Sequence, residues 1–594
     1  MNRRDLLAAA PLLLSGCFLK DFGTVARPQL DDSVPEKDAV QTIGDVSAEF
    51  DNASDIVVSG FGLVTGLDGT GGSTPPCDAR TAVIERLKRA KNEHPGDLID
   101  SPECAVVIAS AVIKPGVRRD EVVDVVVTLP EGSRVKSLRG GILQPTPLMT
   151  FSSQGEVREY LKQNDYAPKS DGNRLLRGHE VTLARGPIQE ALGGKDDTTE
   201  SGDQQLKRGF VWKGGKMMEG RAIFLILKTD QQRFRVAEQV AARLNEAFHG
   251  GESAGTKVAA ARHKDLVAVA VPPRYRLNRP HYMRVVWAIP LTPPADPTRY
   301  LKEWEVKLQQ PETALSAAIR LEALGQPAIP ALRNALTSDY PLVRFAAAEA
   351  LAYLSQTSAA EPLRKSAAEH PTLQAFALTA LAALDDALGM SKLEELMAAD
   401  EPRLRYGAFR ALREVDPTGP LVRGEWARRA FVIHEVDVPG PSLVHLLSEG
   451  RAEVVLFGAT PKLAPPFSLT AGSNMTVTAR AGDTVATVSR FSKSGSAPSH
   501  AQCSLAVADV LRTLAELGGS YSDAADMLDK AHDRKALSCP LALDALPTAV
   551  PVKRLAEAAR SDPRMEQEAD LLAEKDASAT PGLFAGQAES GRRE

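Results

Sequence analysis

The spacing of apolar and polar residues divides the chain into three parts. From residue 56 to about 291, short β-branched runs bounded by Pro and Gly alternate with helical segments, which predicts mixed α and β structure. Between about 300 and 418, alanine and leucine recur at helical spacing and strands disappear. Strands return after residue 426 and precede one amphipathic helix. We therefore predict an α+β fold in which β-rich mixed α/β domains are interrupted by an all-α repeat solenoid.

Several elements can be placed within these parts. The runs at 104–113 and 121–129 are typical of strands, and residues 233–248 have helical spacing. Flanking apolar runs at 222–228 and 266–272 put that helix in a small β-α-β unit. The polar segment 195–207 is expected to be a mobile loop. The late amphipathic helix has an apolar face formed by Val507, Val510, Leu511 and Leu514.

The helical part contains a repeat of about thirty residues, a period typical of stacked helical units. Its markers are Pro311, Pro341, Pro371 and Pro402, each suited to the first turn of a helix. Small residues such as Ala346 and Ala350, with Leu354, would keep neighbouring helices close. The pattern resembles HEAT-type repeats, which usually present a surface to a partner protein. The alternative is a plain helical bundle whose periodicity is accidental.

The first seventeen residues have the layout of an export signal: a basic start, an apolar run at 6–14 and small residues before Cys17. "LSGC" resembles the bacterial lipoprotein box, which predicts lipidation of Cys17. Phe18 then favours the outer membrane by the same resemblance, and residues 18–40 would form a tether. A chance cysteine is the alternative. "RRDLL" also resembles a twin-arginine signal, so the export route stays open.

Composition and charge limit the function classes. A formal net charge of −5 gives no electrostatic argument for binding nucleic acid. Export would place the remaining cysteines in an oxidising compartment, where Cys77 with Cys104 and Cys503 with Cys539 are candidate disulfides. Three connectivities are open, as is the alternative of four buried free thiols. Cysteine and histidine spacing predicts no metal site.

The glycine-rich stretch "VVSGFGLVTGLDGTGG" at 57–72 raises the question of nucleotide binding. A P-loop needs a lysine and a hydroxyl after its last glycine, but Leu67 and Asp68 follow Gly66. The spacing also departs from G-x-G-x-x-G by one residue. The glycines are better explained by positive φ or by close approach of the backbone.

"GFGLVTGLDGTG" resembles the hallmark of the bacterial flagellar P-ring protein family. The resemblance continues through "VIKPGVRRDEVVDVVVTLPEGSRVKSLRGGILQPTPL", where Val135 replaces a usual alanine, and "LARGPIQEALGG", where Arg185 replaces glutamine. It extends through the helix at 233–248 and resumes after the repeats from residue 443. The family motif would give a structural role to Gly60, Gly62, Gly66, Gly69, Gly71, Arg139, Gly140 and Gly141.

The resemblance implies a structural subunit without catalysis or cofactor. Such a protein forms a homo-oligomeric ring in the periplasm, around the rod of the flagellar basal body, with L-ring proteins and peptidoglycan as neighbours. Two departures are the anchor at Cys17, which would hold the chain at the outer membrane, and the repeats, whose partner protein is unknown. A lipid-anchored periplasmic scaffold that has left the flagellum is the second hypothesis, and an exported enzyme is the third.

The expected division is a signal peptide at 1–17, a tether at 18–40, a P-ring-like region at 41–299, repeats at 300–420, a second P-ring-like region at 421–560 and a disordered tail at 561–594. We expect the two P-ring-like regions to form one body and the repeats to be an independently folded passenger.

No enzymatic motif was found among the scattered histidines, and solvated loops would explain His263 and His281. The basic segment 274–284 would be either a solvated surface or a contact with peptidoglycan or a neighbouring subunit. Arg139 would lie at a turn, in an interface or in a structural role.

Overall fold

The computed structural model describes residues 25–26, 40–67, 69–152, 176–190, 208–248, 257–448, 451–472, 474–491, 498–576 and 579–584. Cys17, the predicted signal peptide, nearly all of the predicted tether, Asp68 and the predicted loop at 195–207 lie outside the described residues. None of the helices within the described ranges is both long enough and apolar enough to cross a membrane.

The strands are β1 (Val25–Ala26), β2 (Ser47–Asp51), β3 (Ile56–Thr65), β4 (Cys104–Ile113), β5 (Val122–Thr128), β6 (Ile142–Ser152), β7 (Leu176–Pro187), β8 (Gln189–Glu190), β9 (Arg208–Met217), β10 (Ile223–Leu227), β11 (Ala259–Ala261), β12 (Leu266–Val269), β13 (Glu425–Ala427), β14 (Phe431–Val436), β15 (Leu443–Leu446), β16 (Glu453–Phe457), β17 (Phe467–Ala471), β18 (Met475–Ala479), β19 (Val485–Arg490), β20 (Ser499–Ser504) and β21 (Leu541–Leu543).

The α-helices are α1 (Ile43–Val46), α2 (Asp78–Arg89), α3 (Pro95–Ile99), α4 (Phe234–Ala247), α5 (Arg279–Ala288), α6 (Pro297–Leu308), α7 (Pro311–Leu324), α8 (Ile329–Ala335), α9 (Pro341–Tyr353), α10 (Ala360–Glu369), α11 (Gln374–Leu384), α12 (Ala387–Leu396), α13 (Pro402–Val415), α14 (Val507–Glu516), α15 (Tyr521–Asp533), α16 (Val552–Ser561) and α17 (Glu568–Leu572).

Six strands of the N-terminal region close into an antiparallel barrel. The order is β5-β4-β3-β6-β7-β9, and β9 pairs again with β5, while β8 adds to β9. Alternate residues of each strand fill the interior, for example Val58 and Val64 of β3 beside Ala105 and Val107 of β4. The other face of β3 and β4 packs on α2 and α3 through a small cluster that includes Leu63. Because both faces of β4 are covered over Cys104–Val107, its sequence there is a continuous apolar run, whereas Ser110 and the exposed Val112 lie nearer its other end.

The predicted β-α-β unit is present, with one addition. Helix α4 packs on β11 and β12, which lie in a sheet of order β1-β2-β10-β12-β11. Strand β11 was not predicted, and it lets β10 and β12 pair antiparallel. The core beneath this sheet contains Phe50 and Trp287, whose ring centroids are 4.8 Å apart.

Residues 297–415 form the repeat array, in which α7, α9, α11 and α13 make one layer and α6, α8, α10 and α12 the other. Three of the four predicted prolines are the first residue of a helix. Pro371 differs, because α11 begins three residues later, at Gln374. The backbone NH and the hydroxyl of Thr372 donate to Glu568, at 3.3 and 2.8 Å, so a distant segment holds this turn.

The repeat array is not an independent passenger, and that expectation is wrong. Its core is continuous with residues of the C-terminal sheet such as Val455 and Phe457. On its other side, Tyr353 and Ala383 belong to the core of the small N-terminal sheet. Helices α9 and α11 are buried along almost their whole length, because the chain itself covers the layer to which they belong.

The C-terminal region contains two sheets and a helical hairpin. One sheet has the order β13-β14-β16-β15-β21, and the other is the antiparallel series β17-β18-β19-β20. Helices α14 and α15 pack against them, and the predicted apolar face of α14 is fully buried. The alternation of exposed and buried residues along β17 reflects a sheet that is covered on one face.

The expected disordered tail is wrong for residues 561–576 and 579–584. Helix α16 packs on α7 of the repeat array, and Leu583 and Phe584 are buried in the core of the array. The backbone NH of Leu583 donates to the carbonyl of Leu277 at 3.3 Å, and Lys114 of the barrel donates to the carbonyl of Gly582 at 3.1 Å. The charged, aperiodic sequence is therefore ordered by tertiary contacts. Residues 585–594 lie outside the described residues.

Candidate functional site

The first glycines of the family motif lie where β3 crosses β6 inside the barrel. A Cβ atom on Gly60 would stand 2.1 Å from the carbonyl oxygen of Pro147, and one on Gly62 would stand 2.8 Å from the hydroxyl of Thr146. The register between β3 and β6 shifts between Ser59 and Val64. The missing side chains therefore let the two strands approach across an irregular pairing.

The backbone NH groups of the turn after β3 donate hydrogen bonds within the protein. The NH groups of Gly69, Gly71 and Gly72 donate to Glu103, Pro102 and Cys104, respectively, at 2.7–3.1 Å. Gly66 and Gly69 have φ values of 78° and 79°, which side chains disfavour. Because the amides that a phosphate would need are already bonded, the structure supports a role in folding rather than nucleotide binding.

The predicted residues near Arg139 lie beside this turn. The hydroxyl of Thr70 donates to the carbonyl of Ser137 at 2.9 Å, and a Cβ atom on Gly141 would lie 2.4 Å from a methyl group of Val64. Gly140 has a φ of 73°. The structure thus brings the two motif segments together at one end of the barrel.

Arg139 joins the barrel to the C-terminal region. Its guanidinium donates to the carbonyl of Gly518 at 2.7 Å and to the carboxylate of Asp523 at 3.1 Å. Asp523 also accepts the NH of Ser520, the residue that caps α15. Arg139 therefore has a structural role, because it joins two regions of the same molecule, and a role in an interface with another molecule stays a prediction.

A second contact joins the same two regions. The side-chain carbonyl of Gln189, on β8, accepts the NH of Ala452 at 3.1 Å. The Arg451 guanidinium lies 3.8 Å from the ring centroid of Trp212, on β9. This cation–π contact is desolvated, since Arg451 is largely buried, and such contacts are stronger than exposed ones.

Arg451 leads to a buried carboxylate at the meeting point of three regions. Glu453, the first residue of β16, is fully buried. Its carboxylate accepts the hydroxyl of Tyr406 at 2.7 Å and the guanidinium of Arg413 at 2.7 Å, both from α13. Arg451 approaches it to 3.2 Å and the imidazole of His434 to 3.5 Å. The group thus links the repeat array, the C-terminal sheet and, through Trp212, the barrel.

The charges around Glu453 fix its protonation state. Burial alone would raise its pKa, but the positive charges of Arg413 and Arg451 outweigh burial and hold the pKa well below its usual range. Burial lowers the pKa of the nearby His434.

His445 is stacked on Tyr406, with ring centroids 3.7 Å apart, and it accepts the NH of Ala545 at 3.2 Å. Burial lowers its pKa to about 3, so this ring is neutral.

The basic segment 274–284 is only partly a solvated surface: Arg274, Arg276 and Pro280 are exposed, whereas Tyr275 and His281 are buried, and the predicted external contact stays a prediction. The hydroxyl of Tyr275 donates to Glu322 at 2.6 Å, and the imidazole of His281 lies 2.8 Å from the same carboxyl. Tyr353 stacks on both rings. Burial lowers the pKa of His281 to about 4 and raises that of Glu322, so burial favours the neutral forms of this pair. The segment joins the N-terminal region to the repeat array.

Other sequence predictions have mixed outcomes. His263 is more than half exposed, as predicted, while His281 is buried. The four cysteines at 77, 104, 503 and 539 are free thiols in the structure. Cys77 and Cys104 nevertheless belong to one apolar cluster, as do Cys503 and Cys539. The disulfide bonds between these pairs stay a prediction for the oxidised protein. The described part of the chain contains no group of His, Cys, Asp or Glu suited to a metal.

Sequence reasoning missed Glu322, Glu349 and Glu453. Each is an acidic residue within an otherwise apolar run, "RLEALG", "AAAEALAYL" and "AEVVLF". An isolated carboxylate at a position that the helical or strand period assigns to the core was the available signal. The basic residues that neutralise Glu453 come from elsewhere in the chain, so its role could not be derived from local sequence.

Replacing Glu453 with glutamine should strongly destabilise the protein. The change leaves Arg413 and Arg451 buried without their counter-charge, and we expect a loss of about 3–5 kcal/mol in the free energy of unfolding at pH 7. Urea denaturation followed by circular dichroism measures it. The matched control is Glu303→Gln, which removes an exposed partner of Lys307 and should cost about 0–1 kcal/mol. Equal costs for the two variants would contradict the role of Glu453.

Replacing His445 with glutamine should reduce the dependence of stability on pH. Below the ordinary pKa of 6.5 the unfolded chain binds a proton that the folded chain excludes down to about pH 3. Stability therefore falls as the pH falls, by about 1.4 kcal/mol per unit from this one group. Denaturation at pH 6 and pH 4 measures the free energy of unfolding at each pH. In His445→Gln we expect its change per pH unit to be smaller than in the wild type by about that amount. The exposed control His500→Gln should keep the full slope, and an unchanged slope in His445→Gln would contradict the assignment.

Comparison with known proteins identifies similarity in the segment that contains the glycine-rich stretch at 57–72. Residues 43–157 match the sequence profile of a family described as "Flagellar P-ring protein", and residues 328–358 match that of "HEAT repeat". The first match covers β3 to β6 and the motif, and the second covers α8 and α9.

Individual relatives agree with this. The chain is 28% identical over 192 residues to the flagellar P-ring protein of Escherichia fergusonii, which covers 32% of this chain and 47% of the relative. It is 28% identical over 261 residues to that of Nitratidesulfovibrio vulgaris, covering 42% and 61%. The chain thus spans about half to three fifths of the length of these relatives. The resemblance found in the sequence is confirmed: residues 43–157 are similar to flagellar P-ring proteins, and residues 328–358 are similar to HEAT repeats.

Proposed function

We propose that this protein is a structural subunit of a P-ring-like assembly in the bacterial flagellar basal body. The similarity of residues 43–157 to flagellar P-ring proteins supports this, and the relatives carry that name. The observation that carries the proposal is the direct union of the two family-like regions, through Arg139 with Asp523 and Gln189 with Ala452. The repeats interrupt these regions in sequence, but the regions meet in space.

The role of the glycine motif in this proposal is mechanical. Its glycines let strands cross closely and its amides are bonded within the turn, so the motif stiffens the barrel. A barrel without free edges and a buried charge network are suited to a wall that bears load. Copies would associate head to tail, so that a closed rotation gives a ring around the rod. The L-ring proteins and peptidoglycan would be the neighbours of that ring.

The repeat array, in this proposal, reinforces the subunit. Its α7–α13 layer is covered by α5, α16 and the C-terminal sheet, so that layer does not offer a surface to an external protein. Its usual partner position is taken by other parts of the same chain.

A second candidate function, a lipid-anchored envelope scaffold unconnected with a flagellum, is favoured by the lipoprotein-like sequence ending at Cys17. We propose that Cys17 is acylated and holds the protein at the outer membrane. Each buried CH₂ of an acyl chain would contribute about 0.8 kcal/mol of binding.

Deleting the gene distinguishes the two functions. We expect purified basal bodies from the deletion strain to lack a ring at the level of the peptidoglycan in electron micrographs, and expression of the wild-type chain to restore it. Complementation with Arg139→Ala, which removes the contact with Asp523, should restore fewer rings than the control Arg89→Ala, whose side chain is exposed on α2. Intact rings in the deletion strain would refute the flagellar role and favour the scaffold.

Mass spectrometry of the mature protein tests the anchor. We expect the N-terminal peptide to begin at Cys17 and to carry the added mass of acyl chains, and Cys17→Ala to abolish that species and release the protein from membranes. An unmodified N-terminus downstream of residue 17 would contradict lipidation without bearing on the ring.

A further inference from the structure

The hairpin between β13 and β14 has an unusual turn. The NH of Ala430 donates to the carbonyl of Ala427 at 2.9 Å, which places Arg428 and Arg429 at the two central positions. Both have left-handed backbone conformations, with φ of 49° and 61°. Hairpin turns with positive φ at both centres strongly prefer Asn-Gly, because a Cβ atom crowds the backbone there. Two consecutive arginines are therefore a costly choice for folding.

The arginine side chains make no contacts within the described part of the molecule that would compensate for this strain. Arg428 and Arg429 are exposed, and neither has an ion pair, hydrogen bond or ring contact with any of the residues that the structure describes. Arg423, a few residues earlier, is also exposed and equally without a side-chain partner in the described ranges. The nearest carboxylate in sequence, Glu425, is engaged by Arg512 at 2.9 Å.

An exposed aromatic ring and an open strand edge adjoin these charges. Trp426 is 44% exposed and makes no ring contact within the described part of the chain. Strand β13, which carries it, is the edge of its sheet, with β14 as its neighbour. Tryptophan and arginine are the residue types most enriched among those that dominate binding energy at protein interfaces. Arginine in addition matches carboxylates by paired hydrogen bonds.

We propose that this hairpin, defined as Arg423–Ala430, docks on a carboxylate-bearing surface of a second copy of this chain. The inference rests on the proposed ring. Head-to-tail association requires two different surfaces on each copy, and a protruding basic hairpin supplies one of them. The chain has 76 acidic and 71 basic residues, so a second copy carries carboxylates with which the arginines of the hairpin can pair. Strain at the turn is retained because the two arginines are used between subunits.

The decisive variant is Arg428→Asn combined with Arg429→Gly. It provides the residues that the turn prefers while removing both charges, so folding and association should change in opposite directions. We expect the melting temperature to stay equal or rise by about 1–3 °C. Self-association of the purified full chain, followed by sedimentation velocity over a range of protein and salt concentrations, should weaken about tenfold or more. In the wild type it should weaken as salt rises.

The matched control is Lys91→Asn combined with Lys535→Gly. These lysines are exposed and have φ of 61° and 55°, so the control removes the same charge and relieves comparable strain on other surfaces. It should associate like the wild type.

Three outcomes would overturn the inference. If wild type and hairpin variant form equal rings, the hairpin is not the contact, although the ring function stands. If the wild type stays monomeric at every concentration, both this inference and the proposed ring lose their support. If instead the hairpin variant loses only pelleting with purified sacculi or with anionic phosphatidylglycerol vesicles, the arginines bind another polyanion.

Discussion

One buried carboxylate fixes the relative positions of three regions of this molecule. Glu453 has lost its hydration, and such a charge is stable only when counter-charges and hydrogen bonds surround it in good geometry. Arg413 and Tyr406 come from the repeat array, and Arg451 lies against the barrel through Trp212. Moving any one region away would leave an unpaired charge. The cost of that separation makes the relative arrangement of the three regions part of the fold.

The same reasoning changes how the helical repeats should be understood. A solenoid normally leaves one layer of helices free for a partner. Here α9 and α11 are buried by segments that precede and follow the array in sequence. The cluster of Tyr275, His281 and Glu322 closes one side, and the C-terminal sheet closes the other. The array therefore stabilises the molecule from inside, and its second layer, formed by α6, α8, α10 and α12, faces outward.

Local regularities could be predicted from the sequence, and long-range contacts could not. Strand β4, helix α14 and the starts of α7, α9 and α13 follow from period and proline position. The burial of His281 in segment 274–284 could not be predicted, because the carboxyl groups that it contacts, Glu322 and Glu349, lie on repeat helices and no local pattern shows them. The start of α11 was displaced by Glu568, and the tail gained order from the array. The role of Arg139 was recognised only as two alternatives, since its partner Asp523 is distant in sequence.

The burial of Leu583 and Phe584 has a consequence for biogenesis. These two side chains pack into the core of helices that precede them in the chain, so part of that apolar core stays uncovered until residues 583 and 584 are in place. Molecules in which this segment has not yet docked would then be more prone to aggregate. Folding of the array should accordingly be completed late, when residues 579–584 pack against it.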